Sequence, residues 1–396
     1  MNTLLAIGMM SGTSLDGMDA VLLKLQFKNG DYKIEPLGHV YKRFSKEWVQ
    51  TVKEISEKNL LKESALLAAR WSELANQVVR KLAQKTNIRL SDIDVIGVHG
   101  QTLVHAPKPF RFLGKNIGTT IQVSDLSRLA IRTGITVIGN YRTADIAIGG
   151  QGAPLAPHSH RLLFGKNGKT ITVQNFGGIG NVTLLKNKKV EMAFDTGPAN
   201  MWIDTIVKWR TSEKLLWDRN GLLARKGKPH QKLIEELSSH PYFSLPPPKS
   251  AGWEEFGPHF LKRYQHEFDQ LCVEDAVSTI TFAVARITSE AYKRYVFPRA
   301  RPTEIIVAGG GAKNLFLLEL FKRNLPTCAI TSSESYGIAV GQLEAICFAL
   351  LAVETLRGRP SNEPIATGAK DYVICGQIAF GTNRRHVDRI RNLLLR

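Results

Sequence analysis

One arrangement occurs twice in this chain. Residues 3–25, TLLAIGMMSGTSLDGMDAVLLKL, read as a strand, a turn rich in Gly, Ser and Thr, and a second strand. Residues 170–186, TITVQNFGGIGNVTLLK, repeat it. The chain has 396 residues, beyond the size at which one hydrophobic core keeps growing. Two such hairpins in that length predict a duplicated fold, each hairpin opening one half, with a cleft between the halves. Apolar, β-rich runs at 3–10, 20–25, 93–98, 135–139, 170–176, 182–186 and 303–308 are expected strands. Helical patterns fill 63–84, 200–210, 275–296, 314–323 and 337–357. That alternation places the chain in the α/β class.

Composition narrows the functional classes. Hydrophobic residues make up 43% and charged residues 22%, which supplies a core and excludes general disorder. The opening MNTLLAIG has no basic stretch or cleavage site, so no export signal is expected. The apolar run 345–353 falls far short of the ~20 residues of a membrane helix. Cys272, Cys328, Cys347 and Cys375 show no C-x-x-C spacing and read as thiols of a reducing compartment, the cytoplasm. The 53 Lys and Arg against 35 Asp and Glu give +18, which fits an acidic partner or simply a basic surface. No aromatic-rich basic strand is visible, so nucleic acid is not an expected partner.

Two short motifs are decoys. Gly168-Lys169-Thr170 matches the tail of a P-loop, but the earlier glycine falls on Leu163 and a strand follows. His158-Ser159-His160 has no third ligand at metal spacing. Other segments carry more. In 8–19, GMMSGTSLDGMD, glycines let an anion approach the backbone and Ser and Thr add donors. Asp16 and Asp19 fit a phosphate there only through a divalent ion. An ordinary tight turn with Asx-type bonds is the other reading. Asp195 ends a short strand (190–194) before a helix, which suits a general base or a residue orienting Mg2+ and its water, or else a helix cap. Gly309, Gly310 and Gly311 allow a flat ring such as adenine to lie on the backbone, or pack a strand closely on a helix. His99-Gly100-Gln101-Thr102 and the loop 149–154 either meet sugar hydroxyls or are plain loops.

Taken in order, SGTSLDGMD (11–19), HGQT (99–102), RTGITVIGNYR (132–142), DIAIGGQGAPLAP (145–157), FGGIGNVTLL (176–185), FDTGPANMWID (194–204), PYFSLPPPKS (241–250), VAGGGAKN (307–314) and TGA (367–369) resemble the anhydro-N-acetylmuramic acid kinase family of the sugar kinase/Hsp70/actin superfamily. The resemblance implies two RNase-H-like (actin/hexokinase-type) domains around an ATP cleft with a hinge. It sets them at 1–134, joined by about 365–396, and 135–364. It implies an ATP- and Mg2+-dependent kinase of peptidoglycan recycling. Water adds to the anomeric carbon of 1,6-anhydro-N-acetylmuramic acid, the anhydro bridge opens, and O6 takes the γ-phosphate to give N-acetylmuramic acid 6-phosphate. Asp195 is then the base that activates water. Gly12, Thr13, Ser14, Leu15, Asp16, Gly17, Met18 and Asp19 hold the ATP phosphates, with Asp16 near Mg2+. Gly177 and Gly178 also bind the nucleotide, and Gly309, Gly310 and Gly311 face the adenosine. His99, Gln101, Arg132 and Glu344 line the sugar side. A homodimer is implied as well.

The chain departs from the family pattern in places. Asn140 stands where an Asp is usual, Trp253 and Glu254 where an Arg-Glu pair is usual, Gly341 where Asp is common and Ala308 where Cys is common. Two rivals stay open. The Asn140 change allows a related sugar kinase with an altered substrate; the +18 charge allows a nucleotide-gated binding module without turnover that recruits an acidic partner. Arg384, Arg385, Arg389, Arg391 and Arg396 form a basic tail past the expected end.

Overall fold

The computed structural model describes residues 3–12, 15–28, 31–382 and 388. Thr13, Ser14 and the arginines of the tail lie outside the described residues. Two compact units emerge, Met1–Leu163 with Gln342–Arg396, and Phe164–Gly341.

Strands are numbered in chain order. The first unit holds β1 (Thr3–Met10), β2 (Gly17–Lys28), β3 (Asp31–Arg43), β4 (Val95–Val98), β5 (Gln101–Phe112), β6 (Lys115–Val123), β7 (Thr136–Gly139) and β13 (Gln377–Ala379). Six of them form one sheet in the order β13-β7-β4-β1-β2-β3, and β5 and β6 form a separate ribbon. The second unit holds β8 (Thr170–Phe176), β9 (Ile179–Lys186), β10 (Lys189–Pro198), β11 (Glu304–Ala308) and β12 (Ala329–Ser332), in the order β10-β9-β8-β11-β12.

Both sheets follow one plan. The opening strand pairs antiparallel with the next, which pairs antiparallel with a third. On its other side lie two parallel strands, β4 and β7 in one unit, β11 and β12 in the other. This is the RNase-H-like order, present twice, and the two Gly-rich hairpins open the two copies as expected.

The parallel strands are covered on both faces, so β4 (VIGV) and β7 (TVIG) are buried throughout. On one face the helix Leu61–Thr86 lays Leu67, Trp71, Ala75, Val78, Val79 and Leu82, a helical spacing, into the protein interior. The helix Leu343–Leu356 is buried on nearly every side and crosses β1 and β4 at Gly8 and Gly97, which are register partners. A Cβ on Gly8 would lie 1.8 Å from Ala345 O, and one on Gly97 2.0 Å from Phe348 O. Only glycine admits the helix this closely. Among the described residues no helix is long and apolar enough to cross a membrane.

The expected boundaries at 134/135 and 364/365 move to 163/164 and 341/342. The reason is pairing: β7 lies parallel beside β4, and β13 then adds to β7. The expected helix at 337–357 starts at Leu343, because Gly337 takes φ 73° and ends the turn before it.

Candidate functional site

In the first unit the β1–β2 tip is held from beneath. Ser11 Oγ donates to Gly100 O at 2.9 Å and accepts from Trp71 Nε1 at 3.0 Å. Leu15 takes φ 55°, and its buried side chain packs with Val52, Ile55, Leu67 and Val123. Apolar packing thus keeps the tip backbone in a region a leucine rarely adopts. Met18 is likewise buried, so Leu15 and Met18 offer only backbone to a ligand. Gly17 is required by β3, since a Cβ there would lie 2.6 Å from the backbone Lys42 O. Asp19 Oδ1 bonds His39 Nε2 at 2.7 Å, and Tyr41 Oη donates to Asp16 O at 2.8 Å.

Glu344 opens the helix Leu343–Leu356 and keeps access to solvent. The protein packed around its carboxyl, then the charges of Asp19 and Asp16, raise its pKa, while Arg142 pulls it down. Among the described residues no three His, Cys, Asp or Glu side chains gather into a preformed metal cage. Carboxylates in electrostatic reach of one another nonetheless fit Mg2+, which takes one or two of them and completes its shell with water and phosphate.

His99 and Gln101 are not placed as sugar contacts. Both are buried, at 4% and 0% exposure. Gln101 Nε2 donates to Gly12 O at 3.1 Å. His99 Nδ1 lies 3.1 Å from Ser11 O and 2.9 Å from Gly100 O, so it carries the proton and donates. Nε2 then accepts from the Arg142 guanidinium at 2.9 Å. Burial first, and Arg142 second, push the His99 pKa down to about 3, so the ring stays neutral and aims Arg142. Arg132 is also set apart: it is exposed and pairs with Glu73 at 3.1 Å. The arginine that does reach this region is Arg142, which donates to Gly152 O at 2.7 Å and whose charge Glu344 favours. It stands at the end of the quoted segment 132–142, two arginines that the sequence alone does not rank. Asn140 takes φ 55°, which Asn tolerates as Asp does, and its Oδ1 accepts from the Thr143 hydroxyl, a bond a carboxylate would also accept.

In the second unit the β9–β10 register slips between Asp195 and Gly197, a bulge that re-aims the strand end. Asp195 Oδ2 accepts from Ala251 N–H at 2.9 Å. Burial raises the Asp195 pKa to about 6, with the Ala251 bond opposing. Gly177 O and Gly178 O accept the N–H groups of Asn200 at 3.0 Å and of Ala199 and Met201 at 2.9 and 3.1 Å. Gly309, with φ 78°, and Gly311 close on the same loop: a Cβ on Gly309 would lie 2.2 Å from Asn175 Oδ1, and one on Gly311 2.6 Å from Phe176 Cβ. The structure therefore joins 175–178, 199–201 and 309–311 in one patch of backbone and amides. Gly310 remains exposed above it.

A doubled RNase-H-like sheet, with a Gly-rich hairpin opening each copy, is the fold expected of a sugar-kinase-like protein. The chain matches the family model for anhydro-N-acetylmuramic acid kinase over residues 4–381. It is 36% identical over 383 residues to the anhydro-N-acetylmuramic acid kinase of Caldanaerobacter subterraneus subsp. tengcongensis, covering 95% of this chain and 97% of that one. The same-named proteins of Bacillus cereus and Clostridioides difficile are 37% identical over 381 residues and 34% over 378. Each covers 94% of this chain, with 98% and 97% of their own lengths matched. The chain belongs to the anhydro-N-acetylmuramic acid kinase family.

Proposed function

We propose that this kinase transfers the γ-phosphate of ATP to O6 of 1,6-anhydro-N-acetylmuramic acid as water adds to the anomeric carbon. The bond from that carbon to O6 breaks, and the product is N-acetylmuramic acid 6-phosphate. The observation that carries the reading is Asp195, a carboxylate raised to about 6 and aimed by a backbone N–H. At neutral pH it is mostly ionised yet more basic than an ordinary aspartate, which suits it to take a proton from the attacking water. Freed O6 then receives the phosphoryl group, and the proton held on Asp195 leaves to solvent.

Gly12, Thr13, Ser14, Leu15, Asp16, Gly17, Met18 and Asp19 take the phosphates, with Gly177 and Gly178. Gly309, Gly310 and Gly311 take the adenosine. Arg142 and Glu344 take over the sugar-side role for which His99, Gln101 and Arg132 were candidates. Mg2+, when bound, neutralises charge on the phosphates. Asp16 is its proposed ligand, with Asp19 and Glu344 in electrostatic reach. The free thiols support a cytoplasmic setting. A homodimer is part of the proposal, supported by exposed Phe110, Phe112, Leu113 and Ile117 on the β5–β6 ribbon and its turn, and sedimentation equilibrium is the experiment that tests it.

The test is Asp195→Asn beside wild type, with ATP and the anhydro sugar. Activity is expected to fall by about 10²–10⁴-fold with ATP binding kept. In wild type, kcat/KM should decline below about pH 6 as Asp195 protonates. A fully active variant removes the base assignment. Turnover of an ordinary N-acetylhexosamine with none of the anhydro sugar moves the reading to the altered-substrate kinase.

A further inference from the structure

The segment 242–251 holds Asp195 at three points. Tyr242 Oη donates to Asp195 O at 2.8 Å, and Asp195 N–H donates to Lys249 O at 3.1 Å. Ala251 N–H completes the set on Oδ2 at 2.9 Å. The intervening 244–246 are exposed, so nothing in their own burial fixes them.

The Lys249 side chain closes this segment on itself. Its Nζ donates to Tyr242 O at 3.1 Å and Phe243 O at 3.4 Å. It lies 4.7 Å from the Tyr242 ring centre, 4.8 Å from that of Tyr295 and 5.8 Å from that of Phe194, the residue before Asp195. A partly desolvated ammonium among aromatic faces is held by their quadrupoles as well as by its hydrogen bonds. One side chain thus ties the turn at 241–244, the strand β10 and the region of Tyr295 to the stretch that carries Ala251.

We propose that Lys249 is a positioning residue for the reaction: its caged ammonium sets the segment whose Ala251 N–H aims the Asp195 carboxylate. The inference rests on the reading of Asp195 as the base. The groups bearing on the cage are Asp195 and Phe194 from β10, Tyr242 from its turn, Tyr295 and Arg294 from Tyr292–Val296, and Glu255 from the helix Trp253–Phe256. Arg294 is itself bonded to Ser244 Oγ at 2.8 Å. Burial, then Arg294, bring the Lys249 pKa down to about 8, with Glu255 opposing. The clasp therefore loses its charge as pH rises past about 8. Asp195 and Lys249 then set the two limbs of a bell-shaped profile.

The experiment measures kcat and KM for the anhydro sugar and for ATP across pH. It uses full-length wild type, Lys249→Met, Lys249→Arg and Asp195→Asn, with thermal unfolding in parallel. Lys249→Met is expected to lower kcat about tenfold at neutral pH, with KM for ATP kept, and to move the acidic limb upward. Lys249→Arg, which stays charged, is expected to recover most of kcat and to remove the fall above about pH 8. Unmoved limbs in a folded Lys249→Met, or a Lys249→Arg profile that still falls where wild type does, overturn the proposal. Should Lys249→Met fail to fold, the Lys249→Arg profile decides alone. A fully active Asp195→Asn rejects the base reading itself. An inactive Asp195→Asn beside a normal Lys249→Met rejects only the inference about Lys249.

Discussion

A methyl group at Gly97 would lie 2.0 Å from Phe348 O and 2.8 Å from Ala352 Cβ. Both belong to the helix Leu343–Leu356, and neither is a flexible side-chain end that can swing away. Gly97→Ala is expected to push this helix off β4 and to cost about 1–3 kcal/mol, the range for overpacking. A urea midpoint equal to that of wild type would refute the close-approach account. The same displacement moves Glu344, so activity should fall with stability. These glycines were not legible in the sequence as structural residues. The apolar strand pattern runs straight through Gly8 and Gly97, and the helix that needs them comes about 250 residues after Gly97 and about 340 after Gly8. Arg142 was hidden for the same reason. Its partners His99 and Gly152 flank it at 43 and 10 residues, and no local pattern separates it from Arg132, whose partner Glu73 lies 59 residues away. Asp195 was legible because its signal is local: a carboxylate where a strand gives way to a Gly turn and a helix.

At the scale of elements, the helix Ala156–Phe164 meets the helix Leu343–Leu356 through a buried polar cluster. His158 Nδ1 lies 3.1 Å from Glu363 Oε1 and Nε2 lies 3.5 Å from Glu354 Oε2. Tyr32 donates to Glu354, and Arg161 reaches Glu363 at 3.2 Å. Burial opposes a charge on His158, but the bonds to Glu354 and Glu363 outweigh it and raise the pKa. The sign follows from linkage. A histidine raised in the folded state contributes fully below its unfolded value of about 6.5, and the contribution is lost as pH rises through the folded value. His99 and His160 act oppositely, both lowered to about 3, since they favour the unfolded state once it protonates below about 6.5. The difference between wild type and His158→Gln isolates the cluster. The gap in Tm is expected to be widest below about pH 6.5 and to shrink as pH rises. A gap that is constant with pH would assign the cluster no ionic role. The sequence showed His158 and His160 only as a histidine pair with no third ligand at metal spacing, because Glu354 and Glu363 arrive from the far end of the chain. Strand reading fared better where period or burial was clean, as at 3–10 and 170–176. It missed β3 and β5, where Pro36, Pro107 and Pro109 interrupt runs that still pair, with bulges at Leu22/Leu23 and Ala106/Phe110.

At the scale of the whole molecule, the two copies of the fold differ in how the chain completes them. The core cluster of the second unit draws its buried residues from Phe176 to Val340, one continuous stretch. The first sheet is finished from the other end of the chain. It needs the helix Leu343–Leu356 on β1 and β4, β13 beside β7, and Asn362 and Thr367 on the buried Asp145 carboxylate at 2.8 and 2.7 Å. The motif order in the sequence shows a duplication but not this return, since a boundary drawn between motifs cannot tell which sheet β7 joins. A fragment of residues 164–341 is therefore expected to fold alone, with a cooperative urea transition and strong far-UV circular dichroism. A fragment of residues 1–163 is expected to show no such transition until 342–396 is supplied in trans, because Gly8 and Gly97 would leave an open apolar seam where the helix belongs. Cooperative folding of 1–163 by itself would mean that the returning segment decorates the first unit rather than completing it. A 164–341 fragment without a transition would mean that the second core depends on residues outside its own stretch.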